Sequence, residues 1–208
     1  MCLDAANSKS YPGSGTSWFD ISGNGHVGSM LNGVTFNSSN MGIFNFDGTN
    51  DHIDMGNIYD NLTNFTISVW VRNTNSSQGG MLTKGLVNDS TEWGLSFGFS
   101  NPVLIVCRPR GTLQNLFASW VPYTVGWHNI VYTVNGSVNS FLYVDNELIS
   151  SNTLSLSPGP TVGNLQVAKH GTQYHLGGSI AQVLLYNRAI TSGEVAINFN
   201  AFRGRFGL

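Results

Sequence analysis

The sequence predicts an all-β sandwich or jelly roll, and three observations carry that expectation. Residues 126–149 read as a hairpin. His128, Ile130, Tyr132 and Val134 alternate with Trp127, Asn129, Val131 and Thr133, and Asn135-Gly136 follows as a turn tolerant of positive φ. Phe141, Leu142, Tyr143 and Val144 then resume the alternation before a second turn at Asp145-Asn146. Residues 34–168 break into short extended runs separated by Gly, Asn, Ser and Pro, the spacing of all-β folds. Charged residues make up only 10% of the 208 residues, against about 25% in an average globular protein. Solubility therefore rests on Ser, Thr, Asn and Gly, the residues of short turns.

Taken in order, residues 1–33 are rich in turns, with Tyr-Pro-Gly-Ser-Gly at 11–15 and Ser-Gly-Asn-Gly at 22–25, and read as a loop-dominated lead-in. Extended runs follow at 42–46, 52–55, 65–72, 81–84, 93–99, 103–107, 116–120, the hairpin, 165–168 and 179–186. In 65–71 Phe65, Ile67, Val69 and Val71 share one face, which should meet an opposite sheet, while Trp70 projects the other way. One helix is expected over 191–202: Thr191 and Glu194 have capping-box spacing, and Val195, Ile197, Asn198, Phe199 and Phe202 follow at helical intervals. A chain of this length forms one domain by default, burying roughly 70% of the surface of its unfolded form. No fixed-period repeat suggests a propeller or solenoid.

Composition narrows function. A net charge of -2 gives no basic surface for nucleic acid or anionic membrane. The local basic pairs, Arg108 with Arg110 and Arg203 with Arg205, read as a solvated rim or as carboxylate partners. Cys2 and Cys107 do not make a disulfide framework, and Cys107, ending the apolar run 103–106, reads as a small buried hydrophobe. No basic-then-apolar leader is evident, so export by the chain's own signal is not expected, and no apolar run approaches the ~20 residues of a membrane span.

Five segments resemble, in order, the laminin-G-like branch of the concanavalin A-like lectin and glucanase superfamily. They are Phe-Asp-Gly-Thr-Asn-Asp-His-Ile at 46–53, Phe-Thr-Ile-Ser-Val-Trp-Val at 65–71, Gly-Trp-His-Asn-Ile-Val at 126–131, Leu-Tyr-Val-Asp-Asn at 142–146, and the run from Gly178 to Ile190. The resemblance covers about residues 18–200. It implies an all-β jelly-roll sandwich of two antiparallel sheets, here with one short C-terminal helix, a fold of sugar-binding modules, adhesion domains and some glycoside hydrolases. Residues 3–13 and 198–207 look like segments that bracket this domain in structural proteins of tailed bacteriophages. Such domains commonly carry acidic residues where this chain has Ala181 and Gln182, which puts a calcium site at that position in doubt.

Glycoside hydrolysis needs two carboxylates on one face, roughly 5–9 Å apart. The three Glu are not so paired: Glu92 precedes Trp93, Glu147 follows the Asp145-Asn146 turn, and Glu194 belongs to the helix cap. Asp145 and Glu147 read as turn residues, and Asp51 and Asp54 have opposite strand parity. A lyase needs a Tyr or His base, and 169–175, with His170, Tyr174 and His175, is the one local cluster of that type. Asp20, Asp47, Asp51 and Asp54 are oxygen donors in loops and form the candidate metal set, with Ca²⁺ as the ion they would suit and turn formation as the alternative.

Sugar binding needs less: an aromatic ring and a few fixed polar groups. Trp93, Trp120, Tyr123, His170 and Tyr174 are the candidate glycan-binding residues, while Trp127 is assigned to the core. The expectation is a non-catalytic surface-recognition or decoration module of a phage or phage-like virion, extracellular in its action, binding cell-surface glycan. The alternatives are a virion module that binds only other virion proteins, and a polysaccharide-degrading enzyme.

Overall fold

A computed structural model describes residues 1–74, 78–85, 92–98, 104–108, 116–119, 126–136, 138–154 and 161–208. The strands are β1 (Cys2–Asp4), β2 (Ser17–Phe19), β3 (Val27–Leu31), β4 (Thr35–Asn37), β5 (Ile43–Asp47) and β6 (His52–Asp54). After these come β7 (Asn64–Asn73), β8 (Gly79–Lys84), β9 (Trp93–Gly98), β10 (Leu104–Arg108), β11 (Leu116–Ser119) and β12 (His128–Asn135). The last are β13 (Asn139–Val144), β14 (Glu147–Thr153), β15 (Leu165–Val167), β16 (Lys169–His170), β17 (Tyr174–His175) and β18 (Gly177–Tyr186), and helix α1 spans Ser192–Phe206.

Among the described residues they form two eight-stranded antiparallel sheets and a small hairpin. The front sheet runs β14-β13-β12-β7-β18-β5-β4, with β1 also on β18. The back sheet runs β11-β10-β9-β8-β15-β6-β3-β2, and β16 pairs only with β17. One edge of β18 is shared: Gly177 to Ile180 face β5, and Val183 and Leu184 face β1. The 1–33 segment is thus not only a lead-in. Leu3 and Trp18 are fully buried, β1 completes the front sheet and β2–β3 form the edge of the back one. Three- and five-residue strands between turns leave too little alternation for period reading to find.

The main core lies between the sheets. Phe65, Ile67, Val69 and Val71 of β7, with Tyr132, Val134 and Val183, meet Trp93, Leu95, Phe97, Ile105 and Cys107 of the back sheet. Burying a side chain of this size contributes about 1.5–3 kcal/mol. Desolvation raises the Cys107 thiol far above its ordinary range, so it packs as a hydrophobe.

The helix builds a second core on the outer face of the front sheet. Trp70 projects there, stacked on Phe206 at 4.2 Å and Phe199 at 5.8 Å, with Trp127 beside Phe206 at 4.9 Å. Trp127 is therefore buried beneath the helix and not between the sheets. Thr191 and Glu194 close the capping box, and Gly207 caps the other end at φ 77. Arg188 also binds Glu194 through both guanidinium nitrogens and, with the cap, holds its carboxyl down at about 2. Arg205 reaches back to Asp4 at 2.8 Å, and Gln182 donates to the same carboxylate at 3.2 Å, so the first strand, β18 and the helix end are tied by one charge network. Gln182, where the resemblance led to an acidic residue being expected, serves that network. Among the described residues no helix is long and apolar enough to cross a membrane.

Candidate functional site

Two loops meet at the end of the sandwich where Gly177 of β18 pairs with Asp47 of β5. The first, 47–51, is a tight turn built by its own carboxylates. Asp47 Oδ1 accepts from the Thr49 and Asn50 N–H groups at 2.7 and 3.3 Å, and Asp51 Oδ2 accepts from the Asp47 N–H at 3.1 Å. The Thr49 bond leads in holding the Asp47 carboxyl below its ordinary range, whereas burial raises that of Asp51. Gly48 takes φ 79 at the tip, a conformation that favours glycine.

The second loop is the β16–β17 hairpin. Ala168, at φ 63, turns the chain out of β15, and Lys169 O accepts from Thr83 Oγ1 at 2.6 Å. The hairpin fits only because Gly79 and Gly80 open β8. A Cβ on Gly80 would come 2.0 Å from Lys169 O, and one on Gly79 would come 2.5 Å from Leu176 Cα. Behind the hairpin, His170 Nε2 lies 3.0 Å from Glu92 Oε2, and Arg108 Nε pairs with Glu92 Oε1 at 2.9 Å. Arg108 also donates to Ser96 Oγ at 2.7 Å. By strand parity Glu92, Ser96 and Arg108 share the face of the back sheet turned away from the core.

Between the loops lies a cleft of about 240 Å³ lined by Gly48, Gln78, Gln173, Tyr174 and His175. Tyr174 is half-buried, and its hydroxyl accepts from Gln173 Nε2 at 3.0 Å. His52 and His175 rings lie 5.7 Å apart, and Lys169 Nζ is 3.4 Å from His52 Nε2. Burial, with Lys169 and His52 nearby, lowers the His175 pKa. On the other side of the 47–51 turn a second cleft of about 270 Å³ is lined by Asn32, Gly33, Thr35, Asn45, Phe46, Asp47 and Asp51. The rim so formed offers amides, a phenol, imidazole and backbone groups, the set that pairs with sugar hydroxyls.

The sequence-predicted residues divide. Tyr174 lines the rim cleft. His170 is buried and committed to Glu92, so it shapes the hairpin and does not face a ligand. Trp93 is 1% exposed and packs on Phe65 at 5.1 Å, which removes it as a sugar platform. Its parity with Leu95 and Phe97 turns the ring into the core. Trp120 and Tyr123, like Arg110, lie outside the described residues.

Asp20, Asp47 and Asp51 do not form one metal set. Asp20 accepts from Cys2 and Ser22 N–H groups at 2.8 and 2.9 Å, beside the Val27 end of β3, while Asp51 precedes His52, which pairs with the Leu31 end. Five residues of strand hold those ends about 13 Å apart. Burial works against the Asp20 carboxylate, but those two hydrogen bonds keep it below its ordinary range. Asp54 is engaged by Gly56 N and Asn164 Nδ2. Among the described residues no group of three or more His, Cys, Asp or Glu is placed to hold a metal ion.

Sequence reasoning missed Gly48, Gln78, Gln173 and the Gly79-Gly80 seat. The glycine doublet at a strand start was the one available signal, since it marks a close backbone approach. Asp145 is a turn residue as expected, whereas Glu147 is not in the turn but opens β14, opposite Val144: Asp145 and Asn146 alone take the turn, at φ 50 and 72, and the Asp145 carboxylate accepts from Asn129 N–H at 2.9 Å and lies 2.6 Å from His128 Nδ1.

Two packed antiparallel sheets with a polar rim at one end define a lectin-like β-sandwich. The sequence matches the laminin-G-type family of the concanavalin A-like lectin/glucanases superfamily over residues 47–196, and the chain belongs to it. No curated protein matches the sequence. Among solved structures, the botulinum neurotoxin serotype G binding domain superposes with a TM-score of 0.72 at 17% identity, covering 97% of this chain and 50% of that one. The binding domain of Paraclostridial Mosquitocidal Protein 1 gives 0.71 at 18%, covering 97% and 52%. The binding domain of botulinum neurotoxin DC, solved in complex with rat synaptotagmin II, gives 0.72 at 16%, covering 91% and 50%. At these identities the likeness is one of fold, and this chain spans about half the length of each neighbour.

Proposed function

We propose that this chain is a non-catalytic recognition module that binds cell-surface glycan through the rim between the 47–51 turn and the β16–β17 hairpin, displayed on a phage or phage-like particle. The observation that carries the reading is the half-buried Tyr174 ring beside the Gln173 amide and the open backbone of Gly48, in a cleft of about 240 Å³ on a lectin-like fold. A phenol ring covers the apolar face of a pyranose, and amides and backbone groups match its hydroxyls. The likeness of residues 3–13 and 198–207 to phage structural proteins supports the setting. In this fold the two segments meet, through Arg205 and Asp4.

A single millimolar site contributes only about 4 kcal/mol. Many copies on one particle raise avidity by roughly 10² to 10⁴ when they engage together. One observation favours the protein-binding alternative: Phe19, Val27 and Leu31 stand exposed on the β2–β3 edge, an apolar stripe of the kind that packs on another protein. A glycan-array screen of the multimerised chain, with and without chelator, separates the readings. Recognition of a defined glycan set, unchanged by chelator, supports the rim. Silence across the array turns attention to the edge, and release of reducing ends or unsaturated products from a bound glycan would establish an enzyme.

A further inference from the structure

A second cleft lies at the far end of the front sheet. Gly177 of β18 pairs with Asp47 at the rim and Tyr186 with Thr66 at this end, so the two places are separated by the length of that strand, roughly 30 Å. Register places Asn64 opposite Asn135 and Asn135 opposite Asn139, a row of three amides across β7, β12 and β13. Neighbours in such a row are about 5 Å apart. Two residues along each strand, on the same outward face, Thr133 stands opposite Phe141, whose ring is half-buried. The wall is the segment 187–191, held to β7 where Thr66 Oγ1 donates to Arg188 O at 2.9 Å and accepts from Ile190 N–H at 3.0 Å. It carries the exposed amide of Asn187. The cleft measures about 480 Å³, inside the roughly 300–1,000 Å³ of ligand sites.

The chemistry of the lining selects a ligand class. Each amide offers a donor pair and an acceptor, the complement of neighbouring hydroxyls on a sugar ring. Asn139 Oδ1 is buried with no hydrogen-bond partner among the described residues, an acceptor awaiting one. Phe141 supplies an apolar surface for ring C–H groups. Among the described residues Arg188 is the one charged residue of the lining, and Glu194 neutralises it through two contacts. The cleft therefore has hydroxyl-matching groups and no net charge to attract an acid.

We infer that this asparagine-lined cleft is a second binding subsite, for uncharged saccharide. It stands on its own geometry and does not depend on the rim. With both occupied, one chain would hold two points of a polymeric glycan, the condition under which linked weak contacts gain avidity.

The test is a titration of ¹⁵N-labelled chain with maltohexaose, cellohexaose and mannohexaose at millimolar concentration, with polygalacturonate as the acidic comparison. At least one neutral oligosaccharide should shift the side-chain amide signals of Asn64, Asn135, Asn139 and Asn187, and should do so in Tyr174→Ala as well. Asn135→Ala and Asn187→Ala, both at exposed positions, should weaken that response at least tenfold while leaving the melting temperature unchanged. Silence of the four amides with all three neutral probes would overturn the inference, as would a response to polygalacturonate alone. Shifts confined to the rim and lost in Tyr174→Ala would overturn it too, while upholding the rim.

Discussion

Glu92 shows how much of the rim depends on one buried charge. Its carboxylate is shared by Arg108 and His170, all three largely removed from solvent, and the pair with His170 fixes the hairpin that carries Tyr174. Removing the charge leaves a guanidinium and an imidazole facing a group that no longer balances them. Breaking such a buried pair costs about 3–5 kcal/mol, so Glu92→Gln is expected to lower the unfolding free energy by that order in urea titrations and to weaken glycan binding together with it. His175 gives the rim a pH dependence. Burial, Lys169 and His52 lower its pKa, against the raising influence of Asp47, so on acidification the unfolded chain takes up this proton first. Its contribution is complete above about pH 6.5 and declines as pH falls below that value. The melting temperature should therefore drop between about pH 7.5 and 5.5, and His175→Gln should lessen the drop. Glu92 and His170 also mark where sequence reading stops. They are 78 residues apart, and nothing local signals their meeting, whereas Glu194, three residues from its cap partner, was legible at once.

At the scale of elements, alternation and capping transmitted most of the architecture. Phe65 to Val71 revealed both faces of β7, down to the outward Trp70, because a long central strand repeats its period several times. The 1–33 strands escaped because three to five residues carry too little of the period. Trp93 was misread for a different reason: it stands at a strand start, where parity is ambiguous until the partner strand is known, and the register with Lys84 settles it. The segment 169–175 stands out in the sequence for its His and Tyr residues, but its hairpin pairing and its seat at Gly79-Gly80 are tertiary facts. Gly80→Ala tests that seat. A methyl group only 2.0 Å from Lys169 O forces the backbones apart. Overpacking of this kind costs about 1–3 kcal/mol. The variant should melt earlier, show faster amide exchange in 168–176, and bind glycan more weakly than a chain with Gly204→Ala, where nothing lies within 4 Å of the added carbon.

At the scale of the whole molecule, the sandwich presents its polar rim at one end of β18 and its asparagine-lined cleft at the other, with the helix sealing the outer face between them through Trp70, Trp127 and Phe206. The laminin-G-type assignment explains the scaffold, while the two proposed binding places lie at opposite ends of it. Whether Tyr174 in the rim cleft contacts glycan is decided by comparing wild-type chain, Tyr174→Phe and Tyr174→Ala, multimerised equally, on a glycan array and by titration of the strongest hit. Wild type should bind, Tyr174→Phe, where the ring remains, should lose little, and Tyr174→Ala should lose at least about tenfold, which is about 1.4 kcal/mol. Equal binding by wild type and Tyr174→Ala would contradict that contact.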